Sequence, residues 1–180
     1  MDLVDLINTR TFVGSEFLTW LWFRVDCHDG LLDVEGVGRI EVLFDDQLTL
    51  DAYVAETQRS DLRGGAPAYS IEALTALRQG KRPTKAKLRV IKEGREWAFS
   101  FKAETFDLGS LKIPALLTQE TDEQFYERMY LVEEVEQIMH ALYREFLAVR
   151  LANDWSERFV GAMKEWLESD EDPDPGLYPA

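Results

Sequence analysis

Lys85-Ala86-Lys87-Leu88-Arg89-Val90-Ile91-Lys92-Glu93-Gly94-Arg95-Glu96-Trp97-Ala98-Phe99-Ser100-Phe101 is the stretch from which the fold can be read. Apolar and basic residues alternate from Lys85 to Ile91. A period of two places Ala86, Leu88 and Val90 on one face of a strand and Lys85, Lys87 and Arg89 on the other. Glu93-Gly94 has the composition of a tight turn, and Trp97, Phe99 and Phe101 resume the alternation. The segment predicts a β-hairpin with Leu88 and Phe99 inward and a cationic face directed to solvent.

Upstream, Ser70 is placed to cap a short helix from Ile71 to Gln79 that Gly80 ends. Arg63-Gly64-Gly65-Ala66-Pro67 reads as a loop. Tyr53-Val54-Ala55 reads as the opening of a strand. Gly38 to Phe44 alternates like another, Asp45-Asp46 closes it, and Leu48-Thr49-Leu50 pairs back. Asp29-Gly30 marks a turn. Ser15 is read as an N-cap with Glu16 in the first helical turn. Phe17-Leu18-Thr19-Trp20-Leu21-Trp22-Phe23 is apolar nearly all round. It predicts a helix buried on more than one side, with a short buried strand as the competing reading.

Downstream, Pro114 ends the β region. Thr121-Asp122-Glu123-Gln124 reads as a capping box for a helix running to about Leu151. Phe125, Met129, Val132, Val135, Met139, Leu142, Phe146 and Val149 form its core-facing stripe. Asn153 or Asp154 caps a last helix with Trp155, Phe159, Met163 and Trp166 inward. The two helices are expected to pair antiparallel over one face of the sheet, Trp155 and Trp166 facing Met139 and Phe146. The predicted fold is α+β, an antiparallel sheet with packed helices in one domain over residues 1–168. The acidic, Pro-rich tail 169–180 is expected to be disordered.

The chain has 180 residues, 46% of them hydrophobic, which is enough to bury a core. Its charge is segregated. Arg78, Lys81, Arg82, Lys85, Lys87, Arg89, Lys92 and Arg95 are opposed locally only by Glu93, a balance of +7 in a chain of net charge −14. That total speaks against a nucleic-acid binder acting through its whole surface, and against attachment to anionic membranes. It leaves room for one focused anion site. The basic hairpin face has two readings. It holds an anion, or its cations pair with the carboxylates of which this chain has many.

Cys27 is the one cysteine, so nothing points to an oxidising compartment. The N-terminal residues do not read as a signal peptide, and no stretch approaches the ~20 apolar residues of a membrane span. A cytoplasmic protein is expected. Asp26-Cys27-His28-Asp29 offers metal-ligand types, but zinc needs ligands from separated spacings. Glu136 and His140 miss the Glu-x-x-His spacing of carboxylate-bridged metal bundles. No nucleophile elbow or Gly-rich phosphate loop is present. Neither catalysis, a cofactor nor a metal is expected.

Gly80-Lys81, Thr84-Lys85, Leu88, the hydrophobic return strand and Leu111-Lys112 resemble the C-terminal half of the RdgC family of recombination-associated proteins. The later helix, with Phe125, Arg128 and the stripe to Phe146, is similar too. Gly14-Ser15-Glu16-Phe17-Leu18-Thr19-Trp20-Leu21-Trp22 resembles a segment of divergent RdgC-like proteins. The resemblance covers roughly residues 14–167 and carries over Lys81, Thr84 and Lys85. It implies an α/β protein that binds DNA with little sequence preference, forms a ring-shaped dimer and modulates recombinase loading in a bacterial or phage cytoplasm, near the nucleoid. Family members are longer and less acidic, so weak binding is expected. With Lys87 and Arg89 added from the hairpin, the expected DNA-contacting set is Lys81, Thr84, Lys85, Lys87 and Arg89. The expected partners are DNA or a recombination protein, and the implied oligomer is a homodimer. The alternative is an acidic protein-interaction module, a charge mimic or a dock for a basic partner, without DNA affinity.

Overall fold

The apolar run around Trp20 is helical, and its helix is longer than the caps suggested. The computed structural model describes residues 3–52 and 59–168, with side chains from residue 13 onward. In it α1 spans Leu3–Cys27. Ser15 is therefore not a cap but an internal, buried residue, whose carbonyl accepts the Thr19 hydroxyl at 2.8 Å. Helix on both sides of Ser15 leaves no orphan N–H for it to satisfy. Gly14, just before it, is where the helix meets the sheet. A Cβ there would lie 1.7 Å from the Ala103 carbonyl oxygen, so only glycine permits this approach.

Six antiparallel strands form one sheet: β1 (Leu31–Val34), β2 (Gly38–Ala52), β3 (Arg59–Arg63), β4 (Lys81–Lys92), β5 (Arg95–Lys102) and β6 (Asp107–Lys112). β2 lies between β1 and β4, with β5 and β6 beyond β4. Because β4 occupies one edge of β2, β1 and β3 share the other. The hairpin forms in the expected register, Leu88 opposite Phe99, both buried. Glu93 and Gly94 have φ of 51° and 76°, the left-handed pair that a two-residue hairpin turn requires.

Asp45-Asp46 does not turn the chain, and Leu48-Thr49-Leu50 does not pair back. β2 runs through both. From Phe44 to Leu48 it advances four residues while β4 retreats only two, from Leu88 to Ala86. This bulge lets Phe44 and Leu48 both face the core while Asp46 stays exposed. A regular ladder would have turned Asp46 inward with them.

Ser70 caps α2 (Ile71–Arg78) as expected, its hydroxyl oxygen accepting the Ala73 N–H at 3.2 Å. The capping box before α3 (Thr121–Arg150) does not form. Thr121 is already helical. Glu127 instead reaches back to the N–H groups of Leu117 at 2.7 Å and Thr118 at 3.1 Å. The stripe on α3 is also cut in two. Val135, Met139, Leu142 and Phe146 are buried, but Phe125 and Met129 are exposed, and no residue of Thr121–Tyr130 is buried. Burial begins at Leu131, where the helix reaches the hairpin and the Trp97 indole N–H donates to the Leu131 carbonyl at 2.9 Å.

A π-helical turn at Trp155–Phe159 leads into α4 (Val160–Glu168). Trp155 meets the Phe146 ring edge-on at 6.1 Å, as expected. Trp166 does not face α3. It packs on Trp22 and Phe23 of α1, and its indole N–H donates to Asp26 at 2.6 Å. The last helices therefore do not cover the sheet as a pair, because α1 lies between. Phe17 and Trp22 touch Phe101 and Phe44 of the sheet on one side, and Phe146 and Trp166 on the other. Tyr53-Val54-Ala55 and the tail 169–180 lie outside the described residues.

Phe99→Ala should lower stability by about 3–5 kcal/mol, the usual cost of truncating a buried Phe. Gly14→Ala should also destabilise, by separating α1 from Ala103. Urea unfolding followed by tryptophan fluorescence measures both. An unchanged midpoint for either would show that its contact does not hold the fold.

Candidate functional site

The hairpin places its cations as the alternation predicted, but the bulge in β2 supplies them with partners. Lys87 Nζ sits 2.8 Å from Asp46 and 3.3 Å from Asp45. Arg89 lies 3.1 Å from Asp45 and 3.4 Å from Glu96. The face expected to be open to solvent is half-buried and largely neutralised. Hydrogen bonding to Lys87 holds the Asp46 carboxyl below its ordinary 3.8, and bonding to Asp46 first and then Asp45 holds the Lys87 ammonium above its ordinary 10.5. The contribution from Asp46 is thus complete above pH 3.8 and lost as pH falls through its lowered value. That from Lys87 is complete below pH 10.5 and lost as pH rises through its raised value.

Further along, Lys92 and Arg95 converge on Glu134 of α3, at 3.2 Å and 2.6 Å. Glu134 is buried, a carboxylate in the core-facing row of a helix, and both cations are needed to satisfy it. Lys81 Nζ donates to the Ser60 hydroxyl at 2.8 Å, and the Thr84 hydroxyl donates to Asp51 at 2.7 Å.

Of the five expected residues, Thr84 and Lys85 line a cleft of about 550 Å³ at the open end of the hairpin, and Lys81, Lys87 and Arg89 do not. Arg59, Arg82, Lys102 and Glu104 line the same cleft. Lys85 stands opposite Lys102 in the ladder, and neither has a carboxylate partner among the described residues. Like charges directly opposite on a sheet repel, so this pair is where an anion would be favoured. Lys102 was legible: counting outward from the Glu93-Gly94 turn pairs it with Lys85. Arg59 was not, since β3 reaches the cleft only through its pairing with β2.

A second cleft, of about 530 Å³, lies between α1, the β1–β2 turn and the end of α3. Arg24 on its wall is bound to Glu145 at 2.6 Å and stacks 5.1 Å above the Trp20 ring. The other Glu145 oxygen accepts the Glu35 N–H at 2.8 Å. Burial, and then the Asp26 charge, pushes the Cys27 thiol up to about 12, so it stays protonated and is a poor nucleophile. Burial, and then Arg24, lowers His28. Among the described residues no group of three or more His, Cys, Asp or Glu could hold a metal ion, and no helix is long and apolar enough to cross a membrane.

No family model matches the chain, and no curated protein matches it.

Glu134→Ala should cost about 2–3 kcal/mol, less than the 3–5 of a fully buried pair because Arg95 can turn toward water. The loss would be read from urea midpoints. A midpoint equal to wild type would mean that the Glu134 cluster is not holding α3 to the hairpin.

Proposed function

We propose that the protein is a non-catalytic interaction module whose acidic surface docks a basic protein partner. One observation carries this reading. Four of the eight cations of the basic island are already bound to the chain's own carboxylates, Lys87 and Arg89 to Asp45, Asp46 and Glu96, and Lys92 and Arg95 to Glu134. A phosphate backbone would have to displace those carboxylates while being repelled by a body of net charge −14. The same field attracts a cationic protein and speeds its approach.

A second reading has its own support. Lys85 and Lys102 keep their charge unpaired among the described residues, and Arg59 and Arg82 line the same cleft. Weak, non-specific DNA binding would use Lys85 and Lys102, with Lys81 beside them, because Arg59 is bound to Asp61 at 3.1 Å. The resemblance to RdgC through Lys81, Thr84 and Lys85 favours it.

Titration of labelled duplex and single-stranded DNA by fluorescence anisotropy separates the two readings. Wild type should show no binding even at low salt. Asp45→Asn/Asp46→Asn releases Lys87 and, in part, Arg89, and should gain affinity at low salt. Its log–log salt slope should be about −2, one unit for each phosphate newly contacted. Wild-type binding at low salt with a slope near −3 would instead establish the DNA reading.

A further inference from the structure

We infer that the first three turns of α3 are the docking surface for that partner, and that the partner presents an amphipathic helix with a basic polar face. The inference rests on the interaction-module reading and gives it a location. Phe125, Tyr126, Met129 and Tyr130 are 60%, 71%, 56% and 57% exposed, and Leu117, in the segment leading into the helix, is 91% exposed. Residues spaced by three and four lie on one side of a helix, so the four form a contiguous stripe. Exposed apolar patches of this kind mark interaction sites on soluble proteins. Aromatic residues and Met are also the types enriched at interface centres.

The stripe is held ready by contacts at both ends. Its base is fixed by the Trp97 bond to the Leu131 carbonyl and by the Glu134 cluster with Lys92 and Arg95. Its start is fixed by Glu127 on the N–H groups of Leu117 and Thr118, and by the Thr118 hydroxyl on Glu123 at 2.9 Å. A pre-formed face does not lose ordering entropy when it binds.

Charge selects the occupant. Within 121–133, Asp122, Glu123, Glu127 and Glu133 are opposed only by Arg128. A basic helix would lay apolar anchors on the aromatic stripe and set Lys or Arg against the flanking carboxylates, packing helix against helix. A second copy of this chain would bring the same negative face and be repelled.

The probe is a fluorescein-labelled 18-residue helical peptide with Leu on one face and Lys on the other, and its Leu–Glu counterpart. Anisotropy would be measured at low and physiological salt with wild type, Phe125→Ser/Met129→Ser and Tyr126→Ser/Tyr130→Ser. Tyr130 also bonds to Arg95 of the Glu134 cluster, so Phe125→Ser/Met129→Ser, whose circular dichroism and melting should match wild type, is the primary variant. The two double variants remove different halves of the stripe, and the one that folds carries the test. Neither changes a charge, so attraction to the acidic body alone is unaffected. Wild type should bind the Leu–Lys peptide, not the Leu–Glu one, and a double variant should lose at least tenfold in affinity. Equal affinity in the variants would place docking elsewhere, leaving the module reading intact. No binding of the Leu–Lys peptide by wild type would remove both. A wild-type dimer in sedimentation that the Phe125→Ser/Met129→Ser change dissociates would overturn the inference in favour of self-association.

Discussion

The burial of the Phe17–Val25 stretch of α1 on nearly every side is the constraint from which the rest of the architecture follows. Phe17, Leu18, Trp20, Leu21, Trp22, Phe23 and Val25 are all essentially inaccessible to water. A helix with such a surface is stable only when other elements enclose it. The sheet supplies one wall, with Phe44, Phe99 and Phe101. The second half of α3 and the end of α4 supply the other, with Phe146 and Trp166. Two ion pairs tie α1 to α3 at the rim, Glu16 to Arg150 and Arg24 to Glu145. Gly14 sets how closely the helix may approach the sheet.

That arrangement also explains why α3 changes character along its length. Where the helix lies over the hairpin and α1, its apolar residues are core. Before Leu131 it has passed the edge of both, and residues of the same type and spacing face water. A single amphipathic stripe therefore serves packing in one half and presents a surface in the other.

The electrostatics follow a similar division. A strongly acidic chain with one basic strand has a low-energy way to arrange itself, which is to bring its own carboxylates to that strand. The β-bulge at Asp45-Asp46 does this from β2, and Glu134 does it from α3. What remains without an ion-pair partner among the described residues is the Lys85–Lys102 pair, in a cleft that Asp51 and Glu104 also line. The cationic feature is then reduced to a cleft in a chain of net charge −14.

The sequence alone determined the hairpin, its register and its inward residues, the short capped helix at Ile71, and the enclosed nature of the Phe17–Phe23 segment. Each of these rests on local chemistry: a period of two, a turn that needs positive φ, a cap hydroxyl, a helix apolar all round. What it missed depended on contacts distant in the chain. Ser15 and Thr121 have the composition of caps, but a cap exists only where the helix stops, and α1 continues back to Leu3 while Glu120 is the residue before α3. Asp45-Asp46 has the composition of a turn and became a bulge because β4 continues past it. The exposed face of Phe125 and Met129 has the same spacing as the buried face of Leu142 and Phe146, and periodicity carries no information about where the neighbouring layer ends. The neutralisation of Lys87, Arg89, Lys92 and Arg95 likewise required knowing which carboxylates, some forty residues away, the fold would place beside them.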